Sequence, residues 1–186
     1  MQKFPKFPGI PLDPSQPDDM GLAHARRFQL FRAPYKRHIW VGGVPDNEFD
    51  WNDPQNWLNH QPPGWKSIVF IHPDFVHDDC FPQLDAKVKD IAQLVIFEGA
   101  ILKILPEAEL TVDGLMQESY GIINHGFLYN FGEINILNTR MGCIHNFGTL
   151  MNEGSIAVDL PYEEALQLKE GGSFYNSGEI INLAMF

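Results

Sequence analysis

One short phrase is written three times in the second half of this chain. Gly126-Phe127-Leu128-Tyr129-Asn130-Phe131-Gly132-Glu133-Ile134-Asn135-Ile136 returns 22 positions later as Gly148-Thr149-Leu150-Met151-Asn152-Glu153-Gly154-Ser155-Ile156-Ala157-Val158. It returns again, 24 positions on, as Gly172-Ser173-Phe174-Tyr175-Asn176-Ser177-Gly178-Glu179-Ile180-Ile181-Asn182. The stretch Leu102 to Val112, 24 positions upstream of the first copy, is apolar at the same places although Asn and Gly are gone. Self-similarity at this period is the mark of a solenoid, whose units stack because none can bury its apolar face alone.

Within each copy the alternate residues Leu128, Ile134, Ile136 and Leu150, Ile156, Val158 are apolar while those between them vary, which is the period of a strand and fits no helical face. The Asn-x-Gly between two such runs supplies a residue tolerant of left-handed backbone and one without a side chain, so a bend is expected there. For a single copy an ordinary hairpin turn explains the tripeptide equally well. Repetition at Asn124, Asn130, Asn146, Asn152 and Asn176 favours coils. Stacking then sets Asn130, Asn152 and Asn176 in a structural ladder of side-chain amides, beside a column of Gly132, Gly154 and Gly178. The predicted fold is all-β: a right-handed parallel β-helix of about five or six coils, each of 22–24 residues. It divides into a basic, Pro-rich arm with a candidate capping helix (1–38), a Trp-rich cap and entry coil (39–93), and the repeats (94–186).

The arm begins Phe4-Pro5-Lys6-Phe7-Pro8-Gly9-Ile10-Pro11-Leu12, where the prolines block helix and sheet and leave Phe4, Phe7, Ile10 and Leu12 as anchors in search of a pocket. Residues 18–33 carry the cap Asp18 and a rough apolar face, which suits a helix laid across the first coil. Net charge is −11, but residues 1–38 hold seven Lys or Arg against three Asp, so the remainder carries −15. A basic arm on an acidic body suits self-association, and such a body is a poor partner for nucleic acid. No apolar run reaches the length of a membrane span, and Met1-Gln2-Lys3-Phe4-Pro5 lacks the apolar core of a secretory signal. Either the protein is extracellular or at the cell surface, a leader having been removed, or it stays in the cytoplasm. Cys80 and Cys143 imply neither a disulfide framework nor a metal site, and strand parity points Cys143 outward.

Tryptophans crowd residues 39–65: Trp40-Val41-Gly42-Gly43, Asp50-Trp51-Asn52-Asp53-Pro54-Gln55-Asn56-Trp57 and Pro62-Pro63-Gly64-Trp65. A Val/Ile-rich strand follows (Ser67 to Ile71), then Phe81-Pro82, then Gly99-Ala100-Ile101-Leu102-Lys103-Ile104 and the Asn-x-Gly repeats. From Trp40 to about Ile180 this order resembles the parallel β-helix modules of surface and secreted proteins of Bacteroidetes-type bacteria. The resemblance implies an extracellular or cell-surface role. Those modules sit in longer chains with a leader and a C-terminal sorting domain, neither of which is in this sequence, and the basic arm is no part of their pattern. Physically, the tryptophans either seal the end of the stack or form a platform for sugar rings.

Residues 159–171 replace the return segment Asn138 to Phe147 of the previous coil. A helical turn or a modified return strand would serve, and the two-residue delay favours the strand. After Asn182 no polar capping unit is visible, so Ile180, Ala184 and Phe186 are candidates for self-association at an exposed coil end.

Enzymatic chemistry finds little support. Glu133 and Glu179, with Ser155 between them, would stand roughly 9 to 10 Å apart at the ~4.8 Å strand spacing, inside the loose range for an inverting glycosidase. Asp46-x-Glu48-x-Asp50-x-Asn52-Asp53 alternates oxygen ligands but lacks a turning Gly, so it reads as a calcium loop or a plain acidic one. The histidines show no ligand spacing on one face, and His125 and His145 read as surface residues. No cofactor is implied. The leading expectation is a non-enzymatic structural subunit joined end to end in a homo-oligomeric filament through its solenoid ends and arm. The alternatives are a monomeric adhesin or glycan-binding module using Trp51, Trp57 or Trp65, and a polysaccharide-active enzyme.

Overall fold

A computed structural model describes residues 35–114, 120–160 and 162–183, with the backbone alone at Tyr162 and Glu163. The chain divides into two units, Met1–Pro34 and Tyr35–Phe186, and the solenoid is the second. The arm anchors Phe4, Phe7, Ile10 and Leu12, the candidate helix at 18–33, and Ala184 and Phe186 lie outside the described residues.

Among the described residues fifteen strands make three sheets. The first holds β1 (Lys36–Ile39), β2 (Ser67–Ile71), β4 (Gln93–Ile96), β7 (Tyr120–Asn124), β10 (Gly142–Asn146) and β13 (Leu166–Leu168). The second holds β3 (Gln83–Leu84), β5 (Ile101–Ile104), β8 (Phe127–Asn130), β11 (Thr149–Asn152) and β14 (Ser173–Asn176). The third holds β6 (Glu109–Asp113), β9 (Glu133–Leu137), β12 (Ser155–Val158) and β15 (Glu179–Asn182). Each strand pairs in parallel with its counterparts one coil away, so the chain is a parallel β-solenoid. About four turns carry a strand on all three faces, fewer than the five or six expected, because the entry stretch before Gln93 makes only partial coils.

Alternation decides what lies inside. Leu94, Ile122 and Ile144 form one buried column; Leu102, Leu128 and Leu150 a second; Leu110, Ile134 and Ile156 a third. Fully burying one such side chain contributes about 1.5–3 kcal/mol, and each coil contributes several.

The N-terminal end is closed by the loop between β1 and β2. Trp40, Trp51 and Trp57 are buried; Trp57 meets the other two edge to face, with ring centroids 5.1 Å from Trp40 and 4.8 Å from Trp51, while Trp40 and Trp51 lie stacked at 6.3 Å. Two of the indole N–H groups are paired with main-chain carbonyls: Trp40 donates to Cys80 at 2.8 Å and Trp57 to Trp51 at 2.8 Å. Buried Asn56 ties the loop, donating to the carbonyls of Asn47 (2.6 Å) and Asp50 (2.9 Å) and accepting from the Val44 amide (3.1 Å). The tryptophan cluster therefore seals a core. Trp51 and Trp57 cannot form a sugar platform; Trp65, 65 % exposed with the Lys66 ammonium 4.4 Å from its ring, stays open to solvent.

Four local expectations are corrected. Leu102 pairs with Leu128, an offset of 26 rather than 24, because the corner Leu105 to Ala108 is longer than Phe131-Gly132; Ile104, not a polar residue, lies under Asn130. None of the repeat Asn or Gly residues in the five Asn-x-Gly motifs has positive φ, so left-handed backbone is not what they supply. Cys143 is fully buried. Parity fails there because Gly121 and Gly142 (φ +141°) let the start of the strand turn inward: a Cβ on Gly121 would stand 2.6 Å from Ile136 and 3.1 Å from the Cys143 carbonyl. Finally, 159–171 contains both candidates, a one-turn helix α1 (Tyr162–Ala165) and the return strand β13, and the extra residues sit after β13, where Lys169 to Gly172 make a wider corner.

Candidate functional site

The Asn-x-Gly corners build the stack. Asn130 Nδ2 donates to Asn152 Oδ1 at 2.6 Å, and Asn152 Nδ2 to Asn176 Oδ1 at 2.7 Å. Each amide also donates to a main-chain carbonyl of the following coil, Ser155 at 2.9 Å and Glu179 at 3.2 Å. A second ladder, not anticipated, joins Asn124 to Asn146 at 2.7 Å. The signal for it was present, since Asn124 and Asn146 are 22 positions apart and each begins an Asn-x-Gly. All three inter-coil bonds point the same way, each nitrogen toward the next coil. Low dielectric strengthens such chains. The glycines make room: a Cβ on Gly154 would lie 2.0 Å from the Gly132 carbonyl, and one on Gly178 would lie 2.0 Å from that of Gly154. Close stacking, not turn geometry, requires Gly132, Gly154 and Gly178.

The last coil breaks this order. Phe174 and Ile180 stand in register over buried Leu150 and Ile156 but are themselves only half-buried. With Leu166 and Val158 they line an apolar opening at the coil end. Around it Leu168 is 51 % and Tyr175 61 % exposed, and Leu168 occupies the ladder position held one coil below by Asn146. The Ser173 and Glu179 amides donate back to Gly148 and Gly154 at 2.8 Å each. By strand alternation the backbone groups of Phe174, Asn176 and Ile180 therefore point away from the stack, along its axis. Asn176, the terminal rung, is exposed.

The other end differs. Leu58 N–H donates to the Ile39 carbonyl at 2.9 Å and Gln83 N–H to that of Phe49 at 3.1 Å, so loop segments cover the first strands of two sheets; Val88 and Ile91 bond to Glu109 and Thr111 of β6 at the third.

The remaining candidates are dispersed. Glu133 and Glu179 flank Ser155 in register, as expected, and both are exposed. Glu109, beneath Glu133, is engaged by Lys87 (2.8 Å) and Asn135 (3.2 Å). In the 46–53 loop the carboxylates serve turns: Asp50 accepts from the Asn52 amide and Asp53 from the Gln55 amide, both at 2.8 Å, while Glu48 accepts from the Asp46 amide at 3.3 Å. Among the described residues no group of His, Cys, Asp and Glu is arranged to hold a metal ion. His125 and His145 are half-buried in an aromatic ridge, His125 stacked on Phe147 (4.4 Å), His145 beside Phe147 (4.5 Å) and under Tyr120 (4.1 Å). Burial lowers the pKa of both, against Glu98 at His125 and helped by Lys169 and His125 at His145. Among the described residues no helix is long and apolar enough to cross a membrane.

The class is set by these features: a repeat-built, all-β parallel solenoid, sealed by tryptophan at one end of its described body and open at the other. No protein family matches the chain, and neither a curated protein nor a solved structure does.

Proposed function

We propose that this protein is a non-enzymatic structural module that self-associates through its C-terminal coil. One observation carries the reading: the edge strands β13, β14 and β15 present outward-facing backbone groups around half-exposed Phe174 and Ile180. Such an edge is a template for another strand unless something covers it. Growth into a filament needs a second joint. Residues 1–34, which hold Phe4, Phe7, Ile10 and Leu12, are where the sequence offers anchors for one. The Trp-rich opening and its resemblance to bacterial surface modules favour a place outside the cell. Electron micrographs and sedimentation of the purified protein test this: assemblies that weaken when Phe174 and Ile180 are replaced by Ser support it, and single particles at every concentration overturn it. Deleting residues 1–17 asks separately whether the arm contributes.

Exposed Trp65 favours a second reading, a glycan-binding module. Binding on a glycan array that is lost in Trp65→Ala would support it, while Trp51 and Trp57 belong to the core.

A further inference from the structure

We infer that the surface around Trp65 binds a polysaccharide carrying carboxylate or sulfate groups, the indole stacking on a sugar ring while Lys36, Lys66 and Lys89 meet the anions. This rests on the second reading above and deepens it, since it names the class of glycan. Charge is the first observation. Three short segments meet at the start of the first sheet: Lys36 N–H donates to the Lys66 carbonyl at 3.0 Å, Ala92 N–H donates to the Ser67 carbonyl at 2.8 Å, and the Lys89 stem lies 3.6 Å from where a Cβ on Gly64 would stand. Residues 35–39, 60–68 and 86–92 together hold five Lys or Arg and one acid, Asp90, whereas the rest of residues 35–186 holds three Lys or Arg against 20 Asp or Glu. The cations of an acidic body are thus gathered in one place. Of the five, Lys87 is bound to Glu109 at 2.8 Å, while Lys36, Lys66 and Lys89 have no ion pair among the described residues.

The backbone supplies the second observation. Trp65 and Lys66 are the middle residues of a turn closed twice, Ser67 N–H donating to the Gly64 carbonyl at 2.9 Å and Gly64 N–H to Ser67 Oγ at 2.9 Å. Lys66 holds φ +67° there, a conformation that glycine adopts without steric cost and an L side chain does not. A turn that only reversed the chain would be better served by Gly; Lys keeps an ammonium 4.4 Å from the indole centroid. The doubly closed turn holds both groups in place, so little freedom is lost when a ligand arrives. With Lys66 on one face, an indole 65 % exposed leaves its other face for a sugar ring, whose C–H groups carry the partial positive charge that the negative face of the indole attracts. A single chain of sugars can cross so small a patch without pressing its charge against the acidic remainder, which neither a bilayer nor a nucleic-acid duplex can do.

Calorimetric titration of the full chain with polygalacturonate, dextran sulfate and uncharged dextran, and with phosphatidylglycerol vesicles and a DNA duplex as further arms, tests this. One or both charged polymers should bind and uncharged dextran should not, with affinity falling about tenfold as salt rises from about 50 to 200 mM, the slope of two or three ammonium contacts. Trp65→Ala should weaken binding about tenfold. Lys36→Gln and Lys89→Gln should each weaken it about threefold to tenfold. Lys66→Gly separates binding from folding: it should weaken binding by a similar factor while the thermal midpoint holds or rises, because the strain at φ +67° is relieved. A lower midpoint with binding intact would give Lys66 a structural role and refute the argument. No charged polymer bound at low salt overturns the inference; a neutral glycan held through Trp65 on the array would then leave the glycan module standing, and an empty array would sink both. Preference for vesicles or duplex also overturns it. So does binding undiminished in the triple variant Lys36→Gln, Lys66→Gly, Lys89→Gln, which would assign the charged polymer to the basic residues of 1–34.

Discussion

Replacing Gly154 by Ala tests whether close stacking governs this fold. The new Cβ would lie 2.0 Å from the Gly132 carbonyl, 2.7 Å from the Phe131 carbonyl carbon and 2.8 Å from the Gly132 nitrogen, all of them backbone atoms. Real Cβ atoms do not approach closer than 3.0 Å, so the two coils must part locally by at least about 1 Å. That movement stretches the bonds from Glu153 (2.8 Å) and Gly154 (3.1 Å) to the Asn130 carbonyl, and from Ser155 (2.8 Å) to that of Gly132, past useful length. It also pulls Asn152 from Asn130. Three buried main-chain bonds at about 1 kcal/mol each, with part of the penalty for unpaired buried groups, give a loss of about 4 kcal/mol. That is a large share of the roughly 5–15 kcal/mol that holds a domain. Gly178→Ala makes the same 2.0 Å clash, with Gly154, but its coil has no described neighbour beyond and can lift with its backbone passing to water. A loss of about 1–2 kcal/mol is expected there. Urea unfolding followed by circular dichroism measures both. If Gly154→Ala falls within 1 kcal/mol of wild type, or costs no more than Gly178→Ala, the coil-spacing argument is wrong.

Three further outcomes follow from the same geometry. Asn152→Ala removes the acceptor of Asn130 and the donor to Asn176 and Glu179, and should cost about 2–3 kcal/mol in the same assay, whereas Asn176→Ala at the exposed last rung should cost under about 1. Trp57→Ala should cost about 3–5 kcal/mol, as expected for a fully buried indole, while Trp65→Ala should leave the thermal midpoint nearly unchanged. His38, His72, His125 and His145 all have their pKa lowered by burial, so in the window below the ordinary histidine value of about 6.5 the unfolded chain holds more protons. Stability should be flat above that pH and fall as pH drops from about 6.5 toward the lower folded values, and a thermal midpoint that rises on acidification there would refute the assignment.

The coils were legible because their evidence is arithmetic. Leu128, Leu150 and Phe174 recur at intervals of 22 and 24, and a strand shows its inner face through alternation alone. The same arithmetic could not fix Leu102 against Leu128: a slip of two residues keeps parity, so both registers look apolar, and the length of the Leu105–Ala108 corner decides between them. The glycines misled for a different reason. Asn-x-Gly read locally is a turn, whereas Gly132, Gly154 and Gly178 answer to carbonyls one coil away, which a window of three residues does not contain. Cys143 turned inward because Gly121, 22 positions earlier, left the space. Among the tryptophans, density in sequence marked the seal but not its membership; Trp65, next to Lys66 at φ +67°, faces out. The coil end was partly legible: Ile180 stands out by its place in the last repeat, whereas the exposure of Leu168 depends on the coil that would cover it and leaves no mark in the local sequence.

The turns β7–β9 and β10–β12 are related by 22 residues on every face at once, Ile122 to Ile144, Leu128 to Leu150 and Ile134 to Ile156. Such a unit is a cassette: an additional copy spliced between these two would find matching surfaces above and below. Each insertion would lengthen the body by ~4.8 Å while leaving both its tryptophan roof and its exposed last coil untouched. The polypeptide thus contains its own ruler, graduated in steps that gene duplication or an engineer could add one by one.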